Sequence, residues 1–363
     1  MDVFITIQKA YYPLLCALGI PANLFTFYMV CFRKCGMSVT AIVYLGSLTI
    51  IDTFYVLWVI LLDLTLTFLQ QKPFWHSHPW CSILTFLQFG SLYSSSWIVV
   101  AFTIERYLVL SSTYASRWRQ THTTAVLTCV TIVLLSHLAS IPMCWINAVV
   151  SINITMPDGV NISGPRCLYM EGPYSTTVVW VTTFLSSGLP IFLVVLFNSL
   201  IVSHVVQAHR LFTKEELRAM KVSGRNSAGG VQRSVLLLGT VSAAFVAFSM
   251  PRFVTYCVLR TVYNREDFNR NDYGLPINVA SDLANMLQNL SSTTNFLLYC
   301  VVSRQFRHEL VHLLSCGSQI RQVGSAFTQS TMKVFSVADH RSTTSRDPVN
   351  IVLTKLPKQT EFG

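Results

Sequence analysis

The sequence is poor in charge: 12% of its 363 residues are Asp, Glu, Lys or Arg, about half the share found in ordinary soluble domains. A chain with so little charge cannot cover a globular surface with water-seeking side chains, and 52% of it is hydrophobic. Other absences narrow the reading. No internal repeat and no matched pair of Gly/Pro-interrupted segments is found, which argues against a secondary transporter, the alternative reading for a chain of this kind. No ordered nucleophile or metal partner accompanies His76, His78 or the tail histidines, so no catalytic constellation points to an enzyme. The last long apolar block contains no lysine, which excludes a retinal Schiff base. Residues 1–10 have no basic start followed by an apolar core, so the first block is expected to stay as an anchor rather than be cleaved as a signal peptide.

What is present is seven long hydrophobic blocks, at 11–32, 40–68, 81–111, 123–149, 174–207, 231–262 and 276–302. Each is long enough to cross a bilayer, whereas a buried globular core would use shorter runs. The fold expected is an all-α membrane protein, a seven-transmembrane helix bundle over 11–302. It is preceded by an extracellular N-terminus over 1–10, short enough to argue against a large protein-hormone docking domain. Lys and Arg cluster in alternate connections: Arg33 and Lys34; Arg117 and Arg119; Arg210, Lys214, Arg218, Lys221, Arg225 and Arg233; Arg304, Arg307 and Arg321. The positive-inside rule makes these cytoplasmic and the N-terminus extracellular. The net charge of +10 then reports topology and contact with anionic membrane lipids, with no nucleic-acid partner. The sequons at Asn153 and Asn161 fall in a connection that the charge pattern already places outside, so both are expected to carry glycans. A third, at Asn289, lies inside the seventh block and is expected to stay unmodified.

Most of the ten cysteines fall inside the blocks and read as small buried hydrophobes. Cys81 and Cys167 are both expected outside, in an oxidising compartment, where they either form a disulfide tying the second outer loop to the third span or remain free thiols. Residues 303–316 form an amphipathic stretch, with Phe306, Leu310, Leu313 and Leu314 on one face and Arg304 and Arg307 on the other. It is expected to lie along the inner surface with Cys316 a candidate for palmitoylation, the alternative being an unmodified thiol. Residues 317–363 read as a polar, disordered cytoplasmic tail. There Ser342, Thr343, Thr344 and Ser345 form a candidate phosphorylation cluster beside an unmodified alternative.

Inside the blocks the rare polar residues carry the chemistry. Arg106 follows Cys81 by twenty-five residues, ~37 Å along a helix, so it reaches the opposite interface, where Glu105 can pair with it. At mid-membrane it would cost at least ~2.5 kcal/mol. Asp52 lies midway along the second block, and Ser95, roughly 16 Å outward from Arg106, is at similar depth. With Ser291, Ser292 and Asn295 they offer a hard-oxygen set suited to a hard cation such as sodium, or else a water-filled polar network. Asn295 and Tyr299, four apart, share a helix face. Nearer the outside, Asp63, Gln88, Arg252 and Asp282 are expected to face a cavity, with Tyr256, Phe89, Tyr93 and Trp180 able to line it or simply to pack. Arg252, just after Pro251, is expected to pair with Asp282 or Asp63, or with a ligand.

These residues carry a family resemblance. Glu105-Arg106-Tyr107 resembles the D/E-R-Y box of rhodopsin-like (class A) G-protein-coupled receptors. Gly19-Ile-Pro-Ala-Asn23 resembles the first-helix G-x-x-x-N, Asp52 the aspartate of the second helix, Pro190 and Pro251 the kinks of helices five and six, and Asn295-Phe-Leu-Leu-Tyr299 the N-P-x-x-Y motif. The match runs from Tyr11 to Cys316. Local motifs around Met250-Pro251-Arg252 and Ser281-Asp282 are most similar to a small orphan branch that answers to tryptophan and phenylalanine. Four positions depart from these patterns: Ser249 replaces a tryptophan, Phe296 the proline of N-P-x-x-Y, Gln88 an acid of that branch, and helix four has no central tryptophan. The resemblance implies a plasma-membrane receptor for an extracellular aromatic amino acid-like molecule or short peptide, coupling through Glu105, Arg106, Tyr107, Asn295 and Tyr299 to a heterotrimeric G protein. It further implies a sodium ion as the only candidate bound group, and arrestin and receptor kinases as partners.

Overall fold

The computed structural model describes residues 2–33, 35–66, 73–111, 121–155, 161–170, 172–211, 227–263, 268–269 and 272–314. Side chains are not described at 2, 3, 5, 66, 152–155, 161–163, 208–211, 227–236 and 314. Lys34, Arg117, Arg119, Lys214, Arg218, Lys221, Arg225, Arg321, Cys316 and the Ser342–Ser345 cluster therefore lie outside the described residues. The chain falls into two compact units, Met1–Leu310 and Val311–Gly363; of the second, only the helical residues 311–314 are described.

The first unit is the helix bundle. The first span is Asp2–Cys31, nine residues longer at its start than the apolar block suggested. The second, Val39–Tyr55, continues as a wider π-helix over Val56–Leu66. The third is Trp80–Ser111 and the fourth His122–Ser140, closed by a 3-10 turn over Ile141–Trp145 that contains Pro142. The fifth runs Pro173–Thr183, widens to a π-helix at Phe184–Gly188 and resumes over Leu189–Leu211. That widening directly precedes Pro190, which has no N–H to give to the turn before it. The sixth is Ser227–Thr261 with Pro251 inside it. Six of these helices are long and apolar enough to cross a membrane.

The seventh block differs from the continuous helix expected. It forms Pro276–Ser291 and Asn295–Val302, separated by a turn at Ser292, Thr293 and Thr294. The Thr293 hydroxyl donates to the Leu290 carbonyl at 2.9 Å and that of Thr294 to the Ser291 carbonyl at 3.1 Å. These side-chain bonds offer the backbone an alternative to its own ladder, and the helix breaks there. A last helix, Arg304–Leu314, follows Ser303.

Fold and sequence also diverge after the fourth span, where the apolar block was expected to stay helical to residue 149. Instead Asn147–Thr155 (β1) pairs antiparallel with Asn161–Tyr169 (β2), Val149 facing Cys167. Pro142 ends the helix, and β-branched Val149, Val150, Ile152 and Ile154 suit a strand.

Close packing explains the first-span motif. A Cβ at Gly19 would collide with the Thr293 side chain, so glycine lets the first span approach the seventh at its turn, where Asn23 donates to the Ser292 carbonyl at 2.7 Å. Tyr12, Leu15, Tyr55, Val59 and Met286 join the first, second and seventh spans in one buried cluster. By contrast the fourth span leaves Leu127, Val130, Leu134, Leu135 and Leu138 exposed. A leucine row like this is costly in water and at home in lipid.

Candidate functional site

Three polar layers lie along the bundle. At one end, Arg106 and Glu105 on the third span are held in a nearly dry site, 7% and 10% exposed in their side chains, with Nε 2.8 Å from Oε2. Adjacent residues on a helix cannot face each other squarely, and this contact is a close ion pair without the alignment of a hydrogen bond. The alignment comes from elsewhere: Arg106 Nη2 donates to the hydroxyls of Ser38 and Thr40, each at 2.8 Å. Ser38 is the N-cap of the second span, its Oγ also accepting from the Ala41 N–H at 3.3 Å. The Arg106 guanidinium lies 5.2 Å from the Phe102 ring, and Tyr107 packs on Phe197 at 5.5 Å. Sequence reading named Glu105 as the partner of Arg106 and missed Ser38 and Thr40; the readable signal was a serine just before the second apolar run.

The middle layer centres on Asp52. Ser95 donates to its Oδ1 at 3.1 Å and Asn295 Nδ2 to its Oδ2 at 2.7 Å. A small cavity of about 10 Å³ beside it is lined by Asp52, Ser95, Ser291, Ser292 and Gln288, room for about one water-sized occupant. A buried carboxylate with no cationic partner among the described residues, hydroxyl oxygens around it and the unpartnered Gln288 Oε1 fit a small hard cation. Four of the expected residues thus meet Asp52 in one place, and Gln288 is the member that sequence reading overlooked. Tyr299 is fully buried towards the Arg106 end, packed on Phe306 at 5.9 Å. Asn289 accepts from the Tyr55 hydroxyl at 2.8 Å and is buried.

The third layer, at the end carrying the hairpin, separates residues expected to share one cavity. Cys81 and Cys167 are bonded, with Cα atoms 5.6 Å apart, and below them a cavity of about 80 Å³ holds Asp63 and Gln88. Arg252, Tyr256 and Asp282 are not part of it. Arg252 pairs with neither Asp63 nor Asp282, contrary to expectation; its guanidinium sits 5.3 Å from the Tyr256 ring, one helical turn on. Asp282 accepts instead from the Tyr273 hydroxyl at 2.8 Å. Of the expected aromatic lining, Phe89 and Tyr256 pack around Met143, Ile146 and Val179, Tyr93 donates to Thr182 at 2.8 Å, and Trp180 stacks on Phe184. In the loop before the third span, His76 Nδ1 lies 3.3 Å from Arg166 Nη1. Burial, and then the Arg166 charge, hold its imidazole below the usual pKa and keep it neutral.

At the chain's other end Arg307 donates to the Cys300 and Val301 carbonyls at 2.9 and 2.6 Å, capping the seventh span, and Arg33 pairs with Glu309 at 2.6 Å. No group of three His, Cys, Asp or Glu residues able to hold a metal occurs among the described residues.

The model of the family "7 transmembrane receptor (rhodopsin family)" matches residues 22–299. The B1 bradykinin receptor of Homo sapiens is 25% identical over 310 residues, covering 82% of this chain and 79% of its own, and that of Macaca mulatta matches to the same degree over 80% of its length. Neurotensin receptor type 1 of Rattus norvegicus is 25% identical over 337 residues, 85% of this chain and 75% of its own. The chain therefore belongs to the rhodopsin family of seven-transmembrane receptors, a multi-pass membrane protein that couples an extracellular ligand to G proteins and is neither an enzyme nor a transporter.

Proposed function

We propose that the chain is a plasma-membrane receptor, N-terminus outside, for a short peptide or aromatic amino acid-like ligand that bears a free carboxylate. The observation that carries this is Arg252: a guanidinium within a membrane span, 5.3 Å from the Tyr256 ring and in no ion pair with a carboxylate among the described residues. Such a charge is costly unless it meets water or an anion, and its planar fork suits a carboxylate. The relatives, receptors for bradykinin and neurotensin, favour the peptide over the single amino acid. Tyr256 and Asp282 would flank the ligand, and a sodium ion at Asp52, Ser95, Ser291, Ser292 and Asn295 would stabilise the resting bundle. Ligand binding would shift the population towards a form in which the sixth span leaves Arg106, opening Glu105, Arg106 and Tyr107 to the G protein, with Asn295 and Tyr299 relaying the change. Glycans at Asn153 and Asn161, a palmitoyl chain at Cys316, membrane lipids, and receptor kinases and arrestin at the tail cluster complete the reading. The test is guanine-nucleotide exchange in membranes from transfected cells, screened against aromatic amino acids and short peptides. For an active ligand, Arg252→Lys should weaken potency by about 1–3 kcal/mol and Arg252→Ala by more. Unchanged potency of Arg252→Ala at equal surface expression overturns the carboxylate reading.

A further inference from the structure

The cavity beneath the disulfide is chemically unlike the surroundings of Arg252. Its one ionisable acid is Asp63, on the π-helical end of the second span, which makes no hydrogen bond or ion pair among the described residues. Trp58 and Trp75 stand on the same walls, Trp58 with its indole Nε1 buried and unpartnered. The remaining polar lining includes acceptor oxygens that the N–H groups of a cation can use. Gln88 offers a carbonyl oxygen beside its amide N–H₂, Asn147 donates one amide hydrogen to the Thr85 hydroxyl at 2.8 Å and keeps its oxygen, and Thr85 spends its own hydrogen on the Cys81 carbonyl at 2.9 Å. His76 adds no charge, because burial and Arg166 keep it neutral. Arg166, which donates to His76, does not line the cavity, and none of the lining residues carries a positive charge to meet Asp63.

We propose that this cavity is a separate subsite for a compact organic cation, the guanidinium or ammonium end of a basic ligand side chain, held by the Asp63 carboxylate between the Trp58 and Trp75 indoles. A half-buried carboxylate in a membrane span favours a positive partner, indole faces attract cations, and acceptor oxygens take up the remaining N–H groups. About 80 Å³ accommodates a guanidinium head. The inference rests on the receptor reading above for the source of that cation, and it adds a requirement: the ligand is basic at one group and carboxylate-bearing at another.

The experiment needs no agonist. Purified full-length receptor is heated in methylguanidinium chloride and in sodium chloride of equal concentration. A saturable rise in melting temperature of about 2 °C or more with methylguanidinium is expected, lost in Asp63→Asn and retained in Arg252→Ala and Asp282→Asn. Should Asp63→Asn fail to fold, Gln88→Glu decides, since a second carboxylate in the cavity should lower the methylguanidinium concentration needed at least threefold. No rise in the wild type, or a rise that Asp63→Asn keeps or Gln88→Glu leaves unmoved, overturns the proposal. Because Arg252→Ala is expected to keep the shift, a failed carboxylate reading leaves this result standing, and the reverse also holds.

Discussion

A single imidazole shows how environment sets charge in this molecule. His76 is buried against Arg166, which donates to its Nδ1, so protonation would break that bond and put two cations together. Its pKa is therefore depressed when folded and ordinary, about 6.5, when unfolded. Between the two values the unfolded chain binds more protons, so the stability contributed is full above pH 6.5 and is lost as pH falls towards the folded value. Melting temperatures taken at pH 7.5 and 5.5 should fall further in wild type than in His76→Gln; equal falls would mean the imidazole does not titrate with folding. Sequence reading found no partner for His76, because its charged neighbour lies ninety positions away in a hairpin that hydropathy did not reveal.

The elements are positioned by small contacts at their ends and crossings. Ser38 both caps the second span and holds Arg106. Ser38→Ala should cost about 1 kcal/mol of stability through the lost cap. Combined with Thr40→Ala it should raise agonist-independent nucleotide exchange, since the resting ties of Arg106 are gone. Unaltered basal exchange in the double variant at equal surface expression would show that these hydroxyls do not restrain the resting state. At the crossing of the third and fourth spans, a Cβ on Gly90 would sit 2.5 Å from Cδ2 of His137, whose ring is fixed by a 2.8 Å contact of Nδ1 with the Val133 carbonyl. Gly90→Ala is therefore expected to destabilise by about 1–3 kcal/mol through overpacking, measured by thermal melting, with His137→Ala restoring part of the loss. Sequence reading noticed that no tryptophan fills the middle of the fourth span; what fills the space over Gly90 is His137.

For the whole molecule, the Cys81–Cys167 bond closes a loop across 86 positions and fixes the hairpin to the third span. Removing it should cost about 2–5 kcal/mol, and Cys81→Ala and Cys167→Ala should reduce surface delivery or signalling alike. A defect in one variant alone would mean that the unpaired cysteine, rather than the bridge, matters. The hairpin itself has a second tie, Arg260 at the end of the sixth span donating to the Tyr169 hydroxyl at 2.9 Å.

Hydropathy and charge by themselves determined that the chain crosses a membrane repeatedly, because seven apolar runs of bilayer length admit no other home. Motif spacing likewise predicted that Asp52, Ser95 and Asn295 would meet, since each lies at a depth that helix rise alone dictates. Only the tertiary structure decided which carboxylate faces which cavity. Asp63, Asp282 and Arg252 were all expected to face one cavity, but Asp63 lies within the π-helical stretch at Val56–Leu66. That widening changes the rotation of the residues along it and leaves unaltered the hydrophobic pattern from which a sequence is read.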